Sequence, residues 1–80
     1  SEQLDQAFLK GLRDQGLKLK SDAYAIDLAH STCEVLARTA SVENALRHIK
    51  NATQWTDGKN IGAFGSLAVQ AYCPKSMPKQ

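Results

Sequence analysis

Eighty residues with a net charge of +2 fit one small domain and argue against several classes of function. The ten basic and eight acidic residues are interspersed, whereas a nucleic-acid-binding domain usually carries a concentrated basic face. No apolar run approaches the roughly 20 residues that cross a bilayer, and a core of this size leaves only about a few kcal/mol of net stability unless a covalent cross-link supports it.

Apolar spacing predicts a first helix over about residues 4–15. Leu4, Phe8 and Leu12 recur every four residues and share one helical face. Gly16 follows and suits the left-handed position that ends a helix. Residues 17–20 alternate apolar and basic side chains, but no second strand exists to pair with them. We therefore expect an extended loop there.

The second helix is predicted to open at Ser21 or Asp22, since either residue can cap a helix N-terminus. It ends near residues 38–40. Its inward face is defined by residues at helical spacing. These are Ala25, Leu28, Ala29, Thr32, Cys33 and Leu36.

Two further helices follow the same logic. Ser41 caps a third helix that ends within residues 51–54, and its apolar stripe is Val42, Ala45, Leu46 and Ile49. Thr56 or Asp57 caps a fourth helix that ends at Cys73 and Pro74. Gly58, Gly62 and Gly65 weaken this helix but would let another backbone come close. The layout predicts an antiparallel helical bundle.

The only two cysteines, Cys33 and Cys73, admit one intramolecular disulfide. Closing a loop of forty residues is worth about 4 kcal/mol on the chain-entropy estimate. Both residues lie at or beside a predicted inward stripe, so bonding and burial are compatible. Two buried free thiols remain the alternative. A disulfide would indicate a compartment outside the reducing cytosol.

Metal and catalytic sites are disfavoured by spacing. His30, Cys33, His48 and Cys73 could form a two-histidine, two-cysteine set, but their separations match no compact zinc module. A Cys33–His30 pair would lose its nucleophile in a disulfide. The carboxylates fall at surface positions, and the helical glycines match no nucleotide-binding fingerprint. We predict no catalytic residues, no metal and no cofactor.

Aromatic residues supply the candidate contacts for a partner or ligand. Trp55 precedes the last helix, and we interpret it first as a cover for the open end of the core. The functional alternative is an exposed anchor, with Tyr24 and Tyr72 as further candidate contacts. Four basic residues lie close in sequence: Lys10, Arg13, Lys18 and Lys20. We interpret them as a solvated face, with a site for an acidic partner as the alternative.

These residues together resemble the domain-of-unknown-function 732 family. The resemblance rests on Phe8-Leu9, Leu12 and Gly16, on Ser21-Asp22, Ala25, Leu28 and Cys33, and on Ala63-Phe64, Ala68 and Ala71-Tyr72-Cys73-Pro74. It covers about residues 4–74. It implies an all-helical fold, a Cys33–Cys73 bridge, and export in a mycobacterium or related actinobacterium. It carries no assigned activity.

The resulting expectation is an all-α, four-helix domain at residues 1–74, cross-linked between the second helix and the end of the last, with a disordered tail at residues 75–80. We expect a secreted or cell-envelope protein whose signal peptide has been removed. It would be a monomeric binding module for an unknown protein or envelope component, without nucleic acid and without a membrane span. The alternative is a carrier of a small apolar ligand or haem, for which the core is small.

Overall fold

Four α-helices account for most of residues 1–76, the part of the chain that the computed structural model describes. In chain order they are α1 (Glu2–Asp14), α2 (Asp22–Thr39), α3 (Val42–Thr53) and α4 (Gly58–Tyr72). No strand occurs in this range, and residues 17–20 form the predicted loop. The predicted all-α, four-helix fold class is confirmed.

Side-chain caps explain where the helices begin. The hydroxyls of Ser21 and Ser41 each accept a hydrogen bond of 3.0 Å from the backbone N–H three residues ahead, as predicted. Asp57, rather than Thr56, caps α4 by accepting a 2.9 Å bond from the N–H of Lys59. Gly16 follows α1 with φ of +72°, a conformation that most residues avoid. Cap chemistry therefore sets most of the helix boundaries.

Helices α2 and α4 lie at the centre of the arrangement. Each contacts the other and both flanking helices, whereas α1 and α3 do not contact one another within the described residues. Phe64 of α4 is fully buried, and its ring meets that of Phe8 from α1 edge to face at 5.6 Å. On the other side, Ile49 brings α3 into the same core.

A disulfide joins Cys33 in the middle of α2 to Cys73 directly after α4. The two Cα atoms are 6.0 Å apart, and the bond spans 40 positions of sequence. The predicted disulfide bond between the second helix and the end of the last helix is confirmed. The free-thiol alternative is wrong, because neither cysteine is free.

Two large hydrophobic residues of the predicted apolar stripes are exposed. Leu4 is 44% exposed and Val42 is 43% exposed. In α1 the packed face is formed by Asp5, Phe8, Leu9 and Leu12, and Leu4 lies about a quarter of a turn from the centre of that face. In α3, Val42 borders an open groove instead of the core.

The end of the chain continues beyond α4 in a short 3₁₀ turn, Pro74–Ser76, which contacts α2 and α4. The predicted disordered tail began at residue 75. The two residues of that tail within the described range belong to this turn, and residues 77–80 lie outside the described residues.

Removing the disulfide tests how much it stabilises the fold. In a Cys33→Ser/Cys73→Ser variant we expect the free energy of unfolding to fall by about 4 kcal/mol, because the unfolded chain regains the freedom of a forty-residue loop. Urea denaturation followed by circular dichroism measures this loss. Adding reductant to the unmodified protein serves as the control and should produce a similar loss. An unchanged urea midpoint in both samples would contradict the expectation.

Candidate binding surfaces

An open apolar groove runs between α3 and α4, with α2 beneath it. Its volume is about 280 Å³, and its lining is almost wholly apolar. Ten residues line the groove, four from α3, four from α4 and two from α2. They are Val42, Ala45, Leu46 and Ile49, Gly62, Gly65, Ser66 and Val69, and Thr32 and Leu36.

Small residues on α4 give the groove its shape. At Gly65 the two helices come close, because a Cβ there would lie 3.4 Å from the side chains of Ile49 and Leu46. At Gly62, one turn earlier, a Cβ would meet no atom within 4 Å. The α4 wall at Gly62 is therefore bare backbone facing open space. The expectation that these glycines leave room for another backbone agrees with this geometry at Gly62.

A second, more polar pocket lies beside Trp55 and holds about 150 Å³. Trp55 is half-buried, and its ring meets that of Phe64 at 6.1 Å, so it does cover the core. It also shares the pocket with Tyr24, whose hydroxyl donates a 3.1 Å hydrogen bond to the carbonyl of Ala52. Two of the three aromatic residues singled out in the sequence are thus brought together.

Tyr72 lies apart from that pocket, against α1. Its hydroxyl donates a hydrogen bond to the carboxylate of Asp5, and its ring contacts Phe8 at 5.5 Å and the exposed His30 at 4.2 Å. The pKa of Tyr72 is raised above its ordinary value of 10.0. The main cause is burial, and the hydrogen bond to Asp5 and the negative charge of that carboxylate add to it. Tyr72 therefore fixes α1 to the end of α4.

The histidines and cysteines do not assemble into one site. His48 lies 2.7 Å from the hydroxyl of Ser31, and His30 lies against Tyr72. In the part of the chain that the structure describes, no three histidine, cysteine or carboxylate side chains come together as metal ligands would. None of the four helices is long and apolar enough to cross a membrane.

The four basic residues in the first quarter of the chain do not form one group. Lys10 pairs with Asp14 at 2.9 Å, an exposed pair on α1. Lys18 and Lys20 instead line the pocket beside Trp55, and the ammonium of Lys20 is 5.4 Å from the centre of the Tyr24 ring. Sequence proximity alone grouped these four, whereas the fold assigns two of them to an aromatic pocket.

Comparison with known proteins identifies the family. Residues 4–75 match the family described as "Protein of unknown function (DUF732)". The chain belongs to this family. The match covers the cross-linked domain almost from end to end, and it agrees with the resemblance drawn from Cys33 and the Tyr72-Cys73-Pro74 ending.

Two relatives of this DUF732 protein are uncharacterised mycobacterial proteins, one from Mycobacterium bovis and one from Mycobacterium tuberculosis. Each is 34% identical over 71 residues, which cover 89% of the present chain. The chain spans 63% of the length of these relatives. No solved structure matches the chain.

The Tyr72–Asp5 hydrogen bond can be tested through the pH dependence of stability. The raised pKa means that the folded protein holds the phenol proton more tightly than the unfolded chain does. The resulting stability is fully present below pH 10.0 and is lost as the pH rises above it. We expect Tyr72→Phe to lower the free energy of unfolding by roughly 1–2 kcal/mol at neutral pH. We also expect the free energy of unfolding of this variant to fall less steeply at alkaline pH than that of the unmodified protein.

Urea unfolding at a series of pH values, followed by circular dichroism, measures both effects. Tyr24→Phe is the matched control, because it removes a tyrosine hydroxyl and leaves the Tyr72–Asp5 bond in place. If the stability of Tyr72→Phe declined above pH 10.0 as steeply as that of the unmodified protein, the assigned role of this hydrogen bond would be wrong.

Proposed function

We propose that this protein is an extracytoplasmic binding module whose α3–α4 groove accepts an amphipathic helix of a partner protein. The observation that carries the proposal is the groove itself, an apolar and open surface on a small domain that a disulfide supports. Helix-in-groove binding buries one apolar helical stripe, and affinity comes from a few anchoring side chains.

The length of the groove favours a helix as its occupant. The α3 wall runs from Val42 to Ile49, which is about 10 Å at 1.5 Å per residue, or two helical turns. Two turns present two or three apolar side chains at positions i, i+4 and i+7. The bare backbone at Gly62 lets a partner helix approach closely without displacing a side chain.

Exposed lysines near the groove favour acidic residues beside the partner's apolar stripe. Lys50 follows Leu46 by four residues and Lys59 precedes Gly62 by three, so each lies one helical turn from a groove residue. Both are exposed, and within residues 1–76 neither forms an ion pair. Such rim charges steer association more than they add affinity.

The proposed location is the cell envelope or the medium outside the cell. A structural disulfide persists in oxidising compartments and is rare in the cytosol, which supports export. The mycobacterial relatives favour a mycobacterium or related actinobacterium as the host. The partner would accordingly be a protein or another component of that envelope.

The proposed role involves no catalysis. Both sulfur atoms are in a disulfide, which removes the thiolate that a cysteine nucleophile requires. The Ser31 hydroxyl donates to the carbonyl of Leu28 at 3.0 Å, whereas a serine nucleophile donates its proton to a histidine base.

A second candidate function is transport of a small apolar ligand in the same groove. Its volume of about 280 Å³ is close to the roughly 300 Å³ at which ligand pockets begin. Haem fits this surface poorly, because no histidine is among the described residues that line the groove. A small ligand would also keep much of its surface in water, so the helix remains the preferred occupant.

Site-specific photo-crosslinking tests the proposal. A photoreactive residue at Val42, on the exposed rim of the groove, should crosslink to a protein in envelope extracts, and the crosslinked peptide should be helical with an apolar i, i+4, i+7 pattern. The same probe at Ala37, exposed on α2 and outside the groove, is the control. Crosslinking to a lipid would favour the carrier function, and equal products at both positions would refute the proposal.

Filling the groove should abolish binding without unfolding the domain. Gly62→Leu projects a side chain into open groove space, and we expect at least a tenfold loss of affinity for the crosslinked peptide. Gly58→Leu is the matched control, because Gly58 also faces open space but does not line the groove. Isothermal titration calorimetry measures both variants, and sedimentation should show a monomer. Equal affinity of the two variants would contradict docking in the groove.

A further inference from the structure

The pocket beside Trp55 is independent of the α3–α4 groove and shares no lining residue with it. Four separate parts of the chain build it. The connector between α1 and α2 contributes Lys18 and Lys20, and α2 contributes Tyr24. The last turn of α3 contributes Ala52 and Thr53, and the loop that joins α3 to α4 contributes Trp55. The pocket therefore exists only because the fold brings these segments together.

Both aromatic walls are fixed before any ligand binds. The Tyr24 hydroxyl is held by the carbonyl of Ala52 at 3.1 Å. The backbone N–H of Trp55 donates a 3.2 Å hydrogen bond to the hydroxyl of Thr53, and the indole packs against the buried Phe64. A ligand that enters this pocket meets preorganised ring surfaces, so little ordering is required on binding.

The charged residues that line the pocket are both positive. Lys18 and Lys20 are exposed, and no carboxylate is among the lining residues that the structure describes. The ion pairs within residues 1–76 are Lys10–Asp14 and Arg47–Glu43, and neither involves these two lysines. Lysine ammonium groups bind carboxylates and phosphates as compact point charges, so an anion is the complementary ligand group.

We propose that this pocket binds an anionic sugar unit, in which a carboxylate or phosphate contacts Lys18 and Lys20 while the sugar ring lies against Trp55 and Tyr24. The C–H face of a sugar ring carries partial positive charge, which is complementary to the electron-rich face of an aromatic ring. The pocket holds about 150 Å³, half of the roughly 300 Å³ typical of larger ligands. It therefore fits one ring at the end or edge of a polymer.

Fluorescence titration tests this site directly, because Trp55 is the only tryptophan of the chain. The probes are glucuronate, a ring with a charge; glucose, the same ring without it; acetate, a charge without a ring; and benzoate, a charge on an aromatic ring. We expect a saturable response to glucuronate with a Kd in the millimolar range and at least a fivefold weaker response to glucose and acetate.

Variants separate this pocket from nonspecific attraction by a cationic protein. Lys18→Gln and Lys20→Gln should each weaken glucuronate binding roughly threefold to fivefold. Lys75→Gln changes the net charge equally but lies in the turn after α4, outside the pocket, and should leave binding unchanged. Gly62→Leu should also leave it unchanged, since that residue lines the groove.

Several results would overturn the proposal. Equal responses to glucose and glucuronate would show that charge is not recognised, and equal weakening by Lys18→Gln and Lys75→Gln would show that the lysines act only through net charge. A response to benzoate without one to glucuronate would reject the sugar. Absence of fluorescence changes, together with unchanged amide NMR shifts for residues 18–24 and 52–56, would reject the site.

Discussion

The Cys33–Cys73 bond links the two central helices of the domain covalently. It joins the middle of α2 to the residue that follows α4, and these two helices contact every other helix of the domain. The bond closes a long loop, so its main effect is to restrict the unfolded chain. With α2 and α4 held together, α1 and α3 can pack on either side of one shared core built around Phe64.

Noncovalent contacts then fix the flanking helices in different ways. Helix α1 is held at the α4 end by Tyr72, whose hydroxyl reaches Asp5 and whose ring contacts Phe8. Helix α3 is held mainly from the α2 side, through the bonds of Tyr24 to Ala52 and of Ser31 to His48. Its α4 side is packed closely at Gly65 but opens at Gly62, and this difference creates the groove.

Much of the fold could be predicted from the sequence because its signals are local. Ser21 and Ser41 are chemically suited to cap helices, and they do so. Burial followed helical spacing through α2 as well. Prediction failed at Leu4 and Val42, because spacing defines an apolar stripe but not which part of that stripe a neighbouring helix covers. The disulfide was predictable because only two cysteines exist and both fell near inward faces.

The candidate sites were less predictable, since each depends on residues far apart in sequence. Asp5 and Tyr72 are 67 positions apart, and no periodicity indicates that their side chains meet. Trp55 and Tyr24 were chosen for residue type, but the contribution of Lys18 and Lys20 to their pocket required the fold. The sequence indicated room beside the α4 glycines, yet Gly65 is covered by α3, and of the two glycines that line the groove only Gly62 is open.

The placement of the single covalent link has a mechanical consequence for α3. No disulfide attaches this helix to its neighbours, since the one cross-link joins α2 to the segment after α4. The distance between the groove walls is therefore set by noncovalent contacts, namely side-chain packing and two hydrogen bonds with α2. Covalent and noncovalent restraint thus fall on different helices of this eighty-residue chain.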